Sequence, residues 1–390
     1  MNKTVLIILL PTIMLISSAS MGCGQDNNTS GNAYVNAHNN SQQSWAQIEA
    51  GAAHTLAIKS DGSLWAWGYN GDYQLGIGDK KDRNLPCQVG TDTKWKQVTC
   101  GATHTVAIKT NGTLWAWGDN SLGKLGTGNR VSQSTPIQVC ADTNWKQIAC
   151  GEDYTAAIKT DDTLWIWGKQ LGLTDKHNIV HHILPVRVGT DTNWKQVAGG
   201  WHHILALKTD NTLWTWGYNH NGQLGLGDRN HRLTPTQVDT TTNWQNIMGG
   251  SDHTVALKTD GTLWVWGGNE AGKLGLGDTT VRISPTQVGT DTNWKQIACG
   301  GRCTFALKTD GTLWAWGWNT SGELGINDYK HRSVPTQIGI DRIWQKVIAG
   351  NTQTIAIETD GTLWAWGWNR SGQLGLGDWI DRYTPTKVGK

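Results

Sequence analysis

The chain has 390 residues, among them 25 tryptophans against one phenylalanine, with 49 glycines and a formal net charge of +2. So even a balance leaves no basic footprint for nucleic acid. Length alone suggests two or three ordinary domains, an expectation that the repeats met further along replace with one array.

The first elements are export signals. Residues 1–22 carry Lys3, then an apolar stretch from Val5 to Ile16, then small residues ahead of Cys23. The stretch is too short and wrongly flanked for a membrane span and reads as an export signal peptide. Ser20-Met21-Gly22-Cys23 resembles a bacterial lipobox without the usual leucine, which predicts lipidation of Cys23, with simple cleavage nearby as the alternative. By resemblance to other lipoproteins, Gly24 after the cysteine points to the outer membrane or cell surface of a bacterial envelope. Residues 23–43 are polar and rich in asparagine and read as a flexible tether.

From residue 44 a unit of about fifty residues recurs. Trp-x-Trp-Gly falls at Trp65/Trp67, Trp115/Trp117, Trp165/Trp167, Trp214/Trp216, Trp264/Trp266, Trp314/Trp316 and Trp364/Trp366, in steps of 50, 50, 49, 50, 50 and 50 residues. Upstream of each pair stands another indole in a W-x-x-I/V context: Trp45, Trp95, Trp145, Trp194, Trp244, Trp294 and Trp344. A fixed period of this length marks a repeat architecture. Within the second repeat, "TKWKQVTC", "TVAIKT", "TLWAWG" and "PIQV" are short alternating runs separated by tight turns, which read as antiparallel strands. Four strands in each of seven repeats predict an all-β, seven-bladed β-propeller over 44–390. A short turn joins P-x-Q-V to the next W-x-x-I/V. These two runs are therefore expected to pair, so that the C-terminal run Thr384–Lys390 completes the first blade and latches the ring. The paired tryptophans point to one face of their strand and are expected to form the core between blades.

G-x-x-H-T at Gly51–Thr55, Gly101–Thr105 and Gly250–Thr254 leads into Trp-Gly-x-Asn-x-x-Gly-x-Leu-Gly-x-Gly-Asp at Trp67–Asp79, Trp266–Asp278 and Trp366–Asp378. With these motifs the chain resembles the regulator of chromosome condensation repeat family over residues 44–390. The resemblance implies the propeller. Its functional implications are diverse, since the family includes a nuclear guanine-nucleotide exchange factor, a plant ultraviolet-B photoreceptor and a secreted bacterial β-lactamase-inhibitory propeller. Export and the regular unit length, with no room for an extra wedge, argue against exchange activity. Gly200-Trp201-His202-His203 approaches the photoreceptor's motif in one blade only.

Seven copies of one unit allow an internal comparison. The Asp-Gly turn and the G-T-D-T-N turn share one end of the ring and are nearly uniform. The G-x-x-H loop and the long connection after Trp-Gly share the other end, and there the copies diverge. Trp201, Trp318, Trp368 and Trp379 are the tryptophans outside the repeat slots, and all map to the divergent end. Together with Tyr69, Tyr218 and Arg302 they are the predicted partner-binding residues, because Trp, Tyr and Arg dominate interface hot spots. His54, His104, His203 and His253 read as structural hydrogen-bonding groups. His177, His181, His182 and His202 converge on the divergent end as weak metal candidates, without a recognised carboxylate or thiolate spacing.

Cys100, Cys150 and Cys299 share one repeat slot with small residues. They read as small buried side chains, and a Cys299–Cys303 bridge stays open as the alternative in an oxidising compartment. Pairing that involves Cys87 or Cys140 is not legible. No nucleophile elbow, phosphate loop or metalloprotease motif is present. The expectation is therefore a monomeric, non-enzymatic binding module without cofactor, meeting a protein at the cell envelope. Carbohydrate binding is the alternative, and a hydrolase with a coupled acid pair in the channel is a third class.

Overall fold

The computed structural model describes residues 44–169 and 181–389. Export signal, tether, Cys23 and His177 lie outside the described residues. Seven four-stranded antiparallel sheets follow one another, each built from consecutive strands of one repeat. In blade 1 these are Trp45–Ala50, His54–Lys59, Leu64–Gly68 and Arg83–Gln88; in blade 7 they are Trp344–Ala349, Gln353–Glu358, Leu363–Gly367 and Arg382–Lys387. The fold class expected from the repeats is the one observed.

The latch is not. The fourth strand pairs with the third strand of its own repeat, as in Trp65↔Gln88 and Trp364↔Lys387, so each blade is continuous in sequence and no C-terminal strand enters blade 1. Register explains this. Val89 N donates to Leu64 O at 2.8 Å, which carries the fourth strand along the third, while the following turn leads on to the next blade. Side chains close the ring instead. Ile48, Ala57 and Trp67 of blade 1 pack with Ile355, Ile357, Leu363 and Ala365 of blade 7. Thr55 Oγ1 donates to Gln373 O at 3.0 Å, and Gln353 Nε2 donates to Gly51 O at 3.2 Å.

The core is seven layers, one at each junction between neighbouring blades. At the first junction Leu56, Ile58, Leu64 and Leu75 meet Trp95, Val98 and Trp117 of blade 2. The second indole of each Trp-x-Trp pair is buried, whereas the first is only half-buried, which narrows the expectation that both are core. The first ring is held by its surroundings. Asp61 Oδ1 accepts from Ser63 Oγ at 2.6 Å, Ser63 Oγ accepts from Trp65 Nε1 at 2.9 Å, and Lys59 Nζ sits 4.0 Å over the indole. The Asp-Gly-Ser/Thr-Leu-Trp string is thus one local device, in which a turn carboxylate orients a hydroxyl that orients a ring.

Candidate divergent-face binding site

The loops at the divergent end are fixed by backbone before any side chain varies. The residue after Trp-Gly donates its N–H to the carbonyl of the residue preceding the repeat histidine. Examples are Tyr69 to Ala53 at 2.8 Å, Tyr218 to His202 at 2.9 Å, Trp318 to Arg302 at 3.0 Å and Trp368 to Thr352 at 2.9 Å. The two most variable slots of the repeat are therefore neighbours, one pair per blade, and their identities do not enter the bond that holds them.

Beneath these pairs lies a uniform layer. His104 Nε2 meets Thr155 Oγ1 of the next blade at 3.0 Å, as His203 meets Thr254 at 3.0 Å and His253 meets Thr304 at 3.1 Å. Each threonine hydroxyl already donates to a backbone carbonyl, for example Thr155 to Lys124 O at 2.8 Å, so the histidine Nε2 must carry the proton and donate. Burial lowers the pKa of His54, His203 and His253 to about 3, which keeps these rings neutral. The expected structural role of the repeated histidine is what the fold uses. Tyr154 substitutes for it with a hydroxyl 2.6 Å from His203 O.

The face divides by blade. In blade 4, His202 Nε2 lies 3.0 Å from Glu152 of blade 3 and its ring is 5.5 Å from Tyr218, which in turn is 4.7 Å from His231. The hydrogen bond from His202 is the largest influence holding Glu152 below the ordinary carboxylate range. Buried Lys124 ties blades 2 and 3 together through Asp119 at 2.8 Å and Asp153 at 3.2 Å. Buried Lys273 pairs with Asp252, which also accepts from Asn221 at 2.7 Å. Burial pushes the Asp252 carboxyl up, and Lys273 beside it outweighs that and leaves it lowered.

In blade 6 the Arg302 guanidinium lies 4.9 Å over Trp318, whose ring is 4.6 Å from His331. His331 Nδ1 accepts from Asn319 N at 3.0 Å, so the stack is anchored at its base. Arg302 is exposed, and Trp318, Trp368, Trp201 and Tyr218 are half-buried. Tyr69 is 37% and Trp379 47% exposed. Trp379 follows Asp378 at the outer rim, apart from the others. Trp201 instead lines the mouth of the central channel, its ring so near Gly301 that a Cβ there would be 3.4 Å from Cζ2.

The structure thus brings Arg302 to Trp318 and His202 to Tyr218, and leaves Trp379 separate. Lys124, Lys273, His231 and His331 shape the face but were not singled out in the sequence. The signal for the two lysines was the variable slot Gln74, Lys124, Gln223, Lys273, Glu323 and Gln373, and that for the two histidines the slot Asp82, Ser132, His231, His331 and Asp381. Among the described residues no group of three or more His, Cys, Asp or Glu is placed to hold a metal. His181 and His182 sit on the outer strand of blade 3, whereas His202 is engaged by Glu152. No disulfide joins the six described cysteines, and Cys299 and Cys303 remain separate buried thiols. The carboxylates lining the channel are Glu49 of blade 1 and Glu152 of blade 3.

The family model described as the RCC1-like domain matches residues 17–344, and regulator of chromosome condensation repeats match 345–373 and 360–390. Over 44 residues the chain is 48% identical to a probable E3 ubiquitin-protein ligase HERC3 of Homo sapiens and 46% identical to the ultraviolet-B receptor UVR8 of Arabidopsis thaliana. These matches take in 11% of this chain and only 4% and 10% of those relatives. Among solved structures, Prp20p of Saccharomyces cerevisiae superposes with a TM-score of 0.76 at 22% identity, covering 89% of this chain and 88% of that one. Human WBSCR16 superposes at 0.75 and 21%, covering 84% and 95%. The ectodomain of the Physcomitrella patens receptor kinase CR4 superposes at 0.53 and 12%, covering 83% and 73%. At these identities the likeness is one of fold.

Proposed function

Because the chain belongs to the RCC1-like domain family, whose propeller is a protein-interaction fold, we propose that it is a binding module engaging a protein partner through the loops of its divergent face. The observation that carries this reading is the set of backbone-paired variable residues, one pair in each blade, with Arg302/Trp318, His202/Tyr218 and Thr352/Trp368 among them. Rigid loops bearing partly exposed indoles, a phenol and a stacked guanidinium are the chemistry of interface hot spots. The pairs differ from blade to blade, which suits one asymmetric protein surface better than a repeated sugar. The reading needs no catalysis.

The apolar stretch Val5–Ile16 before Cys23 supports export, with acylation of Cys23 and the polar stretch 23–43 as a tether that would hold the propeller at a cell envelope. A moss receptor kinase carries a propeller of related fold in its ectodomain, a precedent for display outside a cell.

The test is affinity capture from cell-envelope and neighbouring-cell extracts. The baits are residues 44–390 and the same chain with Trp201, Trp318, Trp368 and Trp379 changed to Ala. A protein retained by the first and lost from a folded second supports the face. Equal capture by both, or capture by neither, sinks it and makes a glycan array the next step.

A further inference from the structure

The central channel is distinct from the face above it and carries an inference of its own. It is a cavity of about 350 Å³ lined by the first strand of every blade, within the size range of small-molecule pockets. Most of its polar lining is already committed. Gln47 of blade 1 makes a two-way amide clamp on blade 2, donating from Nε2 to Val98 O at 3.0 Å and accepting from Val98 N at 3.0 Å. Gln147 accepts from Val197 N at 3.1 Å, and Gln296 donates to Val347 O at 3.1 Å.

At blade 7 the slot holds Lys346 instead, and the clamp onto blade 1 is missing. The ammonium lines the channel and acts electrostatically on Glu49 of blade 1 without forming an ion pair with it. Burial raises the Glu49 pKa, and the Lys346 charge and a hydrogen bond from Gln47 Nε2 at 3.1 Å pull the other way. Among the described residues nothing hydrogen-bonds Lys346 Nζ or the second oxygen of Glu49. Partly buried charges gain from partners, and here one of each sign lines the cavity with no ion pair between them. An anion alone would meet Glu49 and a cation alone would meet Lys346. A molecule bearing both charges satisfies the two together. Further along the wall, Met248 and Ile348 are apolar, and Trp201 covers part of one mouth.

We propose that the channel binds a small dipolar ion of the class of free α-amino acids with apolar side chains. The ligand carboxylate meets Lys346, its ammonium meets Glu49, and its side chain lies toward Met248 and Trp201. This assignment does not depend on the reading of the divergent face, and its test uses no protein partner.

The probes are L-leucine and L-methionine, followed on the full chain by saturation-transfer NMR and titration calorimetry. N-acetyl-L-leucine lacks the ammonium and L-leucinamide lacks the carboxylate. At least one free amino acid is expected to bind, with both blocked forms weaker by roughly ten- to hundredfold, as expected when a charged hydrogen-bond partner is lost. Glu49→Gln and Lys346→Gln are expected to weaken the free amino acid by a similar factor while their melting temperatures show that they remain folded. If a variant does not fold, the blocked ligands on the unaltered chain decide. No binding of either amino acid to the folded chain at tens of millimolar overturns the proposal. Equal binding of the blocked forms, or of both folded variants, overturns it as well.

Discussion

The buried histidines are where one residue type carries most consequence. His54, His203 and His253 have pKa values lowered to about 3 by burial, whereas an unfolded chain protonates them near 6.5. Above pH 6.5 both states are neutral at these rings and stability does not depend on them. As pH falls from 6.5 toward 3 the unfolded chain takes up protons that the native ring refuses, so the native state loses stability, by at most about 1.4 kcal/mol per pH unit per histidine. Urea midpoints taken at pH 7, 6, 5 and 4 should therefore fall steadily, and His253→Gln should make the decline shallower; an unchanged slope would contradict the neutral-ring assignment. The glycine of G-x-x-H belongs to the same device, since a Cβ on Gly250 would lie 2.0 Å from His253 Cε1. Gly250→Ala should cost about 1–3 kcal/mol through overpacking, read as a lowered urea midpoint. The histidine role was legible because the residue recurs at a strand start. The clash behind the glycine was not, because spacing does not show which way a ring turns. Nor does strand alternation show how deep each ring lies, which is why Trp65 and Trp67 looked equivalent and are not.

At the scale of the strand and its turn, blade 7 departs from a pattern that blades 2, 3, 4 and 6 share. In blades 2, 3, 4 and 6 a lysine over the indoles pairs with a turn aspartate, as Lys109 with Asp92 at 2.7 Å and Lys308 with Asp291 at 2.8 Å. Blade 7 has Glu358 in the lysine slot, and Arg342 reaches back to supply the cation, 2.7 Å from Glu358 and 3.7 Å over Trp364. The turn slot filled by Arg342 is Thr93, Thr143, Thr192, Thr242 and Thr292 elsewhere. Glu358→Lys alone sets two cations against each other, and Arg342→Thr alone strands Glu358. Each should lower stability by about 1 kcal/mol, and the double variant, which restores the common pattern, should recover most of it. A double variant as unstable as the sum of the two would show that the swap is not a compensated pair. Strand number and order were readable from period and turns. Which neighbour the fourth strand joins was not, since a short loop can lead to a partner in the same sheet or on to the next sheet.

For the ring as a whole, continuous blades change what the ends do. Ending the chain at residue 380 removes the outer strand of blade 7 and touches no strand of blade 1. Amide exchange across Trp45–Lys59 should keep its protection in that truncation, whereas a latched ring would lose it there. The divergent end was legible in the sequence as a place where copies disagree. The charged seam in the channel was not, because nothing in the period says which strand lies innermost. The backbone bond that joins each variable pair has a further bearing. The histidine–threonine layer and the indole layers fix the ring, while in blades 1, 4, 6 and 7 the residues above them are held by their own amides and can be exchanged without renegotiating that architecture; in blades 2, 3 and 5 the same slots partner buried Lys124 and Lys273 and are not free. New specificity can therefore accumulate one loop pair at a time, each substitution tried against a partner and not against folding. A combinatorial library confined to the pairs of blades 1, 4, 6 and 7 would sample recognition while remaining largely folded, and the propeller would serve as a programmable display scaffold.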